Sequence, residues 1–201
     1  MKSAIKNVLT LTLITLVAGF LLGYIYDITK EPIAQMAEKT KQEAYKTVFP
    51  QAVSFGTDSA IDVSAAETIL ASNGIQGVSI DEAVNALDAN GNELGMVVTA
   101  TSHEGYGGDI TISMGIDDTG RMLGVEILEI SETAGLGMKA NTDEFKNQFK
   151  DKTVSQFSYT KAGASQDFEI DALSGATITT KAFVNAVNAG IAFHNEVGGA
   201  N

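Results

Sequence analysis

The chain has 201 residues, 44% of them hydrophobic, and a formal net charge of -12. That acidity argues against nucleic acid as a partner, because phosphate binding needs a basic face. With no cysteine and only His103 and His194 as histidines, disulfides, cysteine nucleophiles, zinc–thiolate sites and cysteine-ligated iron–sulfur clusters are excluded, no metal site is expected, and any redox chemistry has to rest on an organic cofactor.

The first element is "NVLTLTLITLVAGFLLGYIY", residues 7–26, a run without charge. It has the length of a helix that crosses a bilayer. Tyr24 and Tyr26 stand at its far end, where amphipathic aromatics favour the interface, and Lys2 and Lys6 on the near side favour an N-terminus facing the cytoplasm. A cleaved secretory signal would have a shorter apolar stretch and a small-x-small site after Tyr26, so an uncleaved anchor is expected. Residues 1–30 are read as cytoplasmic start and anchor, with membrane lipid around it and the rest of the chain on the extracytoplasmic side. Pro32 suits the first turn of a second, juxtamembrane helix over 31–50, with Ile33, Met36, Ala37, Ala44, Tyr45 and Val48 on its apolar spacing and Pro50 as its stop.

Residues 51–201 are read as the functional domain. "SAAETILAS" is a short helix. Asn90-Gly91 is a tight turn between two strands, and Asp118, Thr119 and Gly120 mark a second hairpin. "NTDEFKNQFK" is a helix that starts at Thr142 and Asp143, and "DFEI" (167–170) is a last strand. The final helix, "TTKAFVNAVNAGIAFHNEV", carries Phe183, Val187, Ile191 and His194 on one stripe, and the tail "GGAN" is expected to be disordered. The fold class is α+β: one transmembrane helix, then a curved, largely antiparallel sheet flanked by helices.

Three segments carry chemistry. "GYGG" (105–108) pairs slim backbone with the aromatic Tyr106; alone it reads equally as a glycine-rich bulge. "SETAGLG" (131–137) offers Glu132 and Thr133 as polar groups on a thin loop. "SGAT" (174–177) stands where a helix starts, and free amides at a helix N-terminus suit a phosphate. Ser174 or Thr177 as a simple N-cap explains that tetrapeptide equally well.

Taken together and in this order, "GYGGDITI", "SETAGLG" and "DALSGAT" behind a single N-terminal span resemble the FMN-binding domain of the membrane flavoproteins RnfG and NqrC, over nearly the whole chain. "LGYIYDITKEPIAQ" (22–35) and the short chain fit RnfG better. Ala134 departs from the family, which more often has Pro there.

The resemblance implies covalent FMN on Thr177 through a phosphoester, made by a flavin transferase with FAD as donor. Ser174, Gly175 and Ala176 would shape the phosphate corner, and Asp171 would serve transferase recognition or local structure. Tyr106, Leu136 and Met138 are expected beside the ring, with Glu132 and Thr133 as polar partners, and Gly107 is also expected in the cofactor site. No residue is expected to be catalytic. It further implies an electron relay in an Rnf complex that couples ferredoxin:NAD+ electron transfer to Na+ or H+ translocation, with integral membrane and iron–sulfur subunits as partners. The alternatives are an FMN-domain protein outside Rnf, NqrC-like or stand-alone, and a cofactor-free scaffold.

Overall fold

The structure is a computed structural model that describes residues 2–198, with the backbone alone described for 57–60. Residues 199–201 of the tail lie outside the described residues. The chain divides into two units, one ending at Thr40 and the other beginning at Lys41.

Helix α1 (Lys2–Val48) supplies the whole first unit. Its most apolar 18-residue stretch has a mean hydropathy of 2.3 with nothing of the protein covering it. It is long and apolar enough to cross a membrane. The sequence places a second helix start at Pro32; the structure instead carries α1 through Pro32 without a break. Proline withholds one amide from the turn before it. The flanking Glu31, Ala34, Gln35, Met36 and Ala37 are strong helix formers, and they sustain the helix on both sides.

The second unit is built on a five-stranded antiparallel sheet in the order β1 (Ser54–Ala60), β2 (Val78–Leu87), β3 (Glu93–Ser102), β4 (Ile110–Asp117) and β5 (Met122–Ile130). Register irregularities interrupt the β1–β2, β2–β3 and β4–β5 ladders, and such bulges bend a sheet. Helix α2 (Ala66–Ser72) fills the connection between β1 and β2. Both hairpin loops have three residues: 118–120 as expected, and 89–91 where the sequence predicts a two-residue Asn90-Gly91 turn. Asp88 N bonds Asn92 O while Gly91 N bonds Asp88 O, and Asp117, Gly120 and Arg121 repeat the pattern. In each, the aspartate side chain also accepts backbone amides of the loop, Asn90 and Asn92 in one, Thr119 and Arg121 in the other.

Strand alternation sorts the sheet into two faces. Met96, Val98, Ala100, Ile112, Met114 and Ile116 join one core with helix α4 (Thr177–Val197), whose Phe183, Val187, Ile191 and His194 are all buried. Phe145, Phe149 and Phe157 close that core edge-on; Phe145 lies on the short helix α3 (Asp143–Lys146), capped by the Thr142 hydroxyl. The opposite face carries Val84, Ala86, Val97 and Leu123, and residues 45–49 pack on it through Tyr45, Val48 and Phe49. Gly115 and Gly124 pair across β4 and β5 beneath this contact. A side chain at Gly115 would collide with the Val48 carbonyl.

Three strands differ from the sequence reading. The expected last strand is β7 (Glu169–Asp171), and it leaves the main sheet to pair in parallel with β6 (Ser158–Thr160). β6 is not expected from the sequence, because three residues carry too little alternation to be read. β1, "SFGTDSA", escapes notice because it is poor in residues that favour strands.

Tyr45 is 1% exposed, and its hydroxyl donates to Glu82 Oε2 at 3.2 Å. Burial pushes its phenol up from 10.0 to about 12. A pKa raised on folding contributes stability that is whole below the unfolded value and lost as the pH rises through the folded one. The full-length protein should therefore lose stability between pH 10.0 and about 12 more steeply than Tyr45→Phe. Unfolding midpoints across that range measure the difference; parallel profiles would contradict it.

Candidate functional site

Sheet register brings two of the three singled-out segments side by side. Ser102 pairs with Ile110, and Ile110 with Ile130. The loop after β3 and the loop after β5 therefore leave the same end of the sheet. Helix α4 packs across β2, β3 and β4, and its first turn closes the third side of a cleft of about 520 Å³. Ligand sites commonly have volumes of about 300–1,000 Å³.

The cleft is lined by Tyr106, Glu132, Thr133, Leu136, Gly137, Gly175, Ala176, Thr177, Ile178 and Thr179. Seven of the ten residues expected around the cofactor are thus brought together. Ser174 and Gly107 are not among the lining residues. Ser174 is exposed, and Gly107 sits where a side chain would collide with the Ser131 carbonyl. Met138 is half-buried away from the wall. Gly137, Ile178 and Thr179 line the cleft without having been assigned to it.

Two turns of one design shape the walls. Leu136 N bonds Thr133 O at 3.1 Å, and Ala176 N bonds Leu173 O at 3.0 Å. The third residue of each, Gly135 and Gly175, has φ of +77° and +76°. Such turns need glycine there and favour proline one place earlier. That place is Ala134 in the first turn, so the proline that the family resemblance leads one to expect there would suit a geometry that alanine also adopts.

The start of α4 has an unusual arrangement. Its N-cap is Ala176, and no side chain caps it. Neither Ser174 nor Thr177 takes that role. Among the described residues, the amides of Thr177, Ile178 and Thr179 have no hydrogen-bond acceptor. Thr180, fully buried, holds the turn instead: its hydroxyl accepts from Leu173 N at 3.0 Å and donates to Ala176 O at 2.9 Å. Three free donors and the positive end of a 21-residue helix therefore face the cleft.

The opposite wall holds a second unsatisfied group. Glu132 is 9% exposed; its Oε1 accepts from Tyr106 N at 2.7 Å, while its buried Oε2 has no partner among the described residues. A buried acceptor without a donor is costly. Gly137 leaves room beside this oxygen. A Cβ there would lie 2.6 Å from Glu132 Oε2 and 2.7 Å from Thr179 Oγ1. Tyr106, Leu136 and Ile178 are 71%, 44% and 52% exposed and form an apolar rim. The site thus offers free amides at the helix start, a buried acceptor near Thr179, and an apolar rim.

Asp171 lies apart from the cleft. Its carboxylate accepts from Ala164 N at 2.6 Å and its amide donates to Gln148 Oε1 at 2.7 Å, which pins the loop after β6.

The profile of the FMN-binding domain family matches residues 105–192, a span that contains all three segments, and that of the RnfG N-terminal region matches residues 1–48. The G subunit of the ion-translocating oxidoreductase complex of Methanosarcina acetivorans is 32% identical over 193 residues, covering 94% of each chain. The G subunit of the Na(+)-translocating ferredoxin:NAD(+) oxidoreductase complex of Acetobacterium woodii is 32% identical over 194 residues, 94% of this chain and 91% of that one. The crystal structure of Shewanella oneidensis NqrC shares the fold with a TM-score of 0.50 at 19% identity, over 59% of each chain.

Proposed function

This chain belongs to the RnfG family, the G subunits of ion-translocating oxidoreductase complexes, and from that premise we propose that it is an electron-relay subunit with FMN held covalently on Thr177. The observation that carries the reading is the uncapped start of α4, with Thr177 on the cleft wall and three amides free beside it.

The residues present fit the group. The amides of Thr177, Ile178 and Thr179 and the helix dipole balance a phosphate's charge. The Thr177 hydroxyl is the covalent handle. A flavin transferase moves the flavin phosphate from FAD onto Thr177 Oγ1: the new P–O ester forms, the pyrophosphate bond breaks, AMP leaves and the hydroxyl proton is released. Glu132, on the cleft wall with its buried Oε2 lacking a partner among the described residues, would accept a hydrogen bond from an N–H or O–H of the bound group. Tyr106, Leu136 and Ile178 give apolar cover to a planar ring and keep one side of it near solvent and partners. Bound FMN supplies one- and two-electron redox chemistry that no side chain of a cysteine-free protein offers.

The assembly extends the reading. Relatives named as G subunits of Na(+)- and proton-translocating ferredoxin:NAD(+) oxidoreductase complexes support a relay in a complex that couples this electron transfer to Na+ or H+ translocation, and integral membrane and iron–sulfur subunits are its proposed partners. Turnover belongs to that complex rather than to this chain. Helix α1 anchors the domain in lipid, with Lys2 and Lys6 on the cytoplasmic side and the FMN domain on the extracytoplasmic side.

Two outcomes test this. Protein from a host with the transferase should gain the mass of FMN minus water and keep flavin fluorescence through denaturing electrophoresis. Thr177→Val, which keeps shape and loses the hydroxyl, should lose both. Retention of the added mass in Thr177→Val would overturn the assignment. Glu132→Gln should leave attachment intact and raise the flavin midpoint potential, because a negative charge beside the ring disfavours added electrons. A change of ~1.4 kcal/mol corresponds to about 30 mV for a two-electron couple. An unchanged potential would remove Glu132 from contact with the flavin.

A further inference from the structure

The loop that carries Tyr106 is tied on two sides, and only one belongs to the cleft wall. The cleft-side tie is the bond from Tyr106 N to Glu132 Oε1. The other is made by Glu104. Lys181 Nζ donates to Glu104 Oε1 at 3.1 Å, and Asn185 Nδ2 donates to Glu104 Oε2 at 3.0 Å. The same Asn185 amide nitrogen donates to Gln76 O at 2.9 Å, so both of its hydrogens are used. Gly77 makes the room: a Cβ there would lie 2.8 Å from Glu104 Cγ. His103 N bonds Gly77 O at 2.8 Å, which adds a backbone link between the same two segments.

The placement along α4 gives this cluster its meaning. Thr177, Lys181 and Asn185 stand at i, i+4 and i+8, and therefore share one face of the helix. The residue that lines the cleft and the two that grip Glu104 lie in a row. Between Glu104 and Glu132-bound Tyr106 only Gly105 intervenes. A surface ion pair alone is worth little, and Lys181 and Glu104 side chains are 57% and 35% exposed. Here the pair is joined to an asparagine with both hydrogens committed, so the whole cluster acts as one latch.

We infer that Glu104, with Lys181 and Asn185, is a positioning latch that registers the Tyr106 loop against α4 and so sets the gap between Tyr106 and Thr177 into which the tethered flavin fits. It rests on the flavin reading above and adds three residues outside the cleft lining to it. Glu104 acts through Tyr106 and touches no lining residue's polar atom itself.

The test uses the full-length chain, produced with the transferase, as wild type, Glu104→Ala and Glu104→Gln. Intact mass first establishes how much FMN each carries. At equal loading, Glu104→Ala should lower flavin fluorescence anisotropy and reduce visible circular dichroism about two-fold, with amide exchange of the 103–108 segment about ten-fold faster. Glu104→Gln keeps an acceptor for Asn185 and loses the charge facing Lys181, so it should fall between the two. A non-specific packing defect would not produce that ranking. Lys181→Met supplies an independent cut from the helix side and should match the Gln variant. Unchanged anisotropy and exchange in Glu104→Ala overturn the latch. Wild type without covalent FMN counts against the flavin reading instead, and the exchange comparison on the unloaded protein still decides the latch: faster exchange supports it, equal exchange overturns it.

Discussion

The start of α4 is held open. A helix normally hides its first amides behind a capping side chain ahead of it. Here the residue in that place is Ala176, which has nothing to offer, and the job of fixing the preceding turn has moved inside the helix to Thr180. The turn is therefore rigid while the amides of Thr177, Ile178 and Thr179 stay available. Everything else about the site follows from having a fixed set of donors with a hydroxyl in the same corner.

That corner is useful only because the core places it. Helix α4 buries Phe183, Val187, Ile191 and Phe193 against the sheet. Its N-terminus consequently meets the end of the sheet where β3 and β5 release their loops. The antiparallel register then sets Tyr106 and Glu132 beside each other without further design, and a single bond between them closes the wall. Glycine at 137 leaves room beside the Glu132 carboxylate. Fold and site are the same set of constraints seen at two scales.

How much of this was legible in the sequence depended on the range of the interaction. The apolar run of residues 7–26, the two hairpins and the stripe on α4 are local patterns, and each reappears as an element. The break expected at Pro32 did not, because one missing amide is a small loss inside a long run of good helix formers. The partnership of β6 with β7 was invisible, since three-residue strands declare themselves only through their neighbour. In the site, the hydroxyls around position 177 looked alike in the sequence. Packing separates them: Ser174 is exposed, Thr177 and Thr179 line the cleft, and Thr180 is buried in the turn. Gly137 and Ile178 were missed for the same reason, because what marks them is the surface across the cleft.

The central claim is that the Thr177 hydroxyl carries the phosphate. The most direct measurement is the phosphorus NMR signal of the flavin-loaded protein followed across pH. An ester of Thr177 turns the FMN phosphate into a diester, which has lost the second ionisation at about pH 6 that a monoester keeps. The account predicts a shift that stays constant through that range. A signal that titrates at about pH 6 would mean a free monoester in the cleft, and would contradict the covalent assignment while leaving the amides of α4 as its binding site.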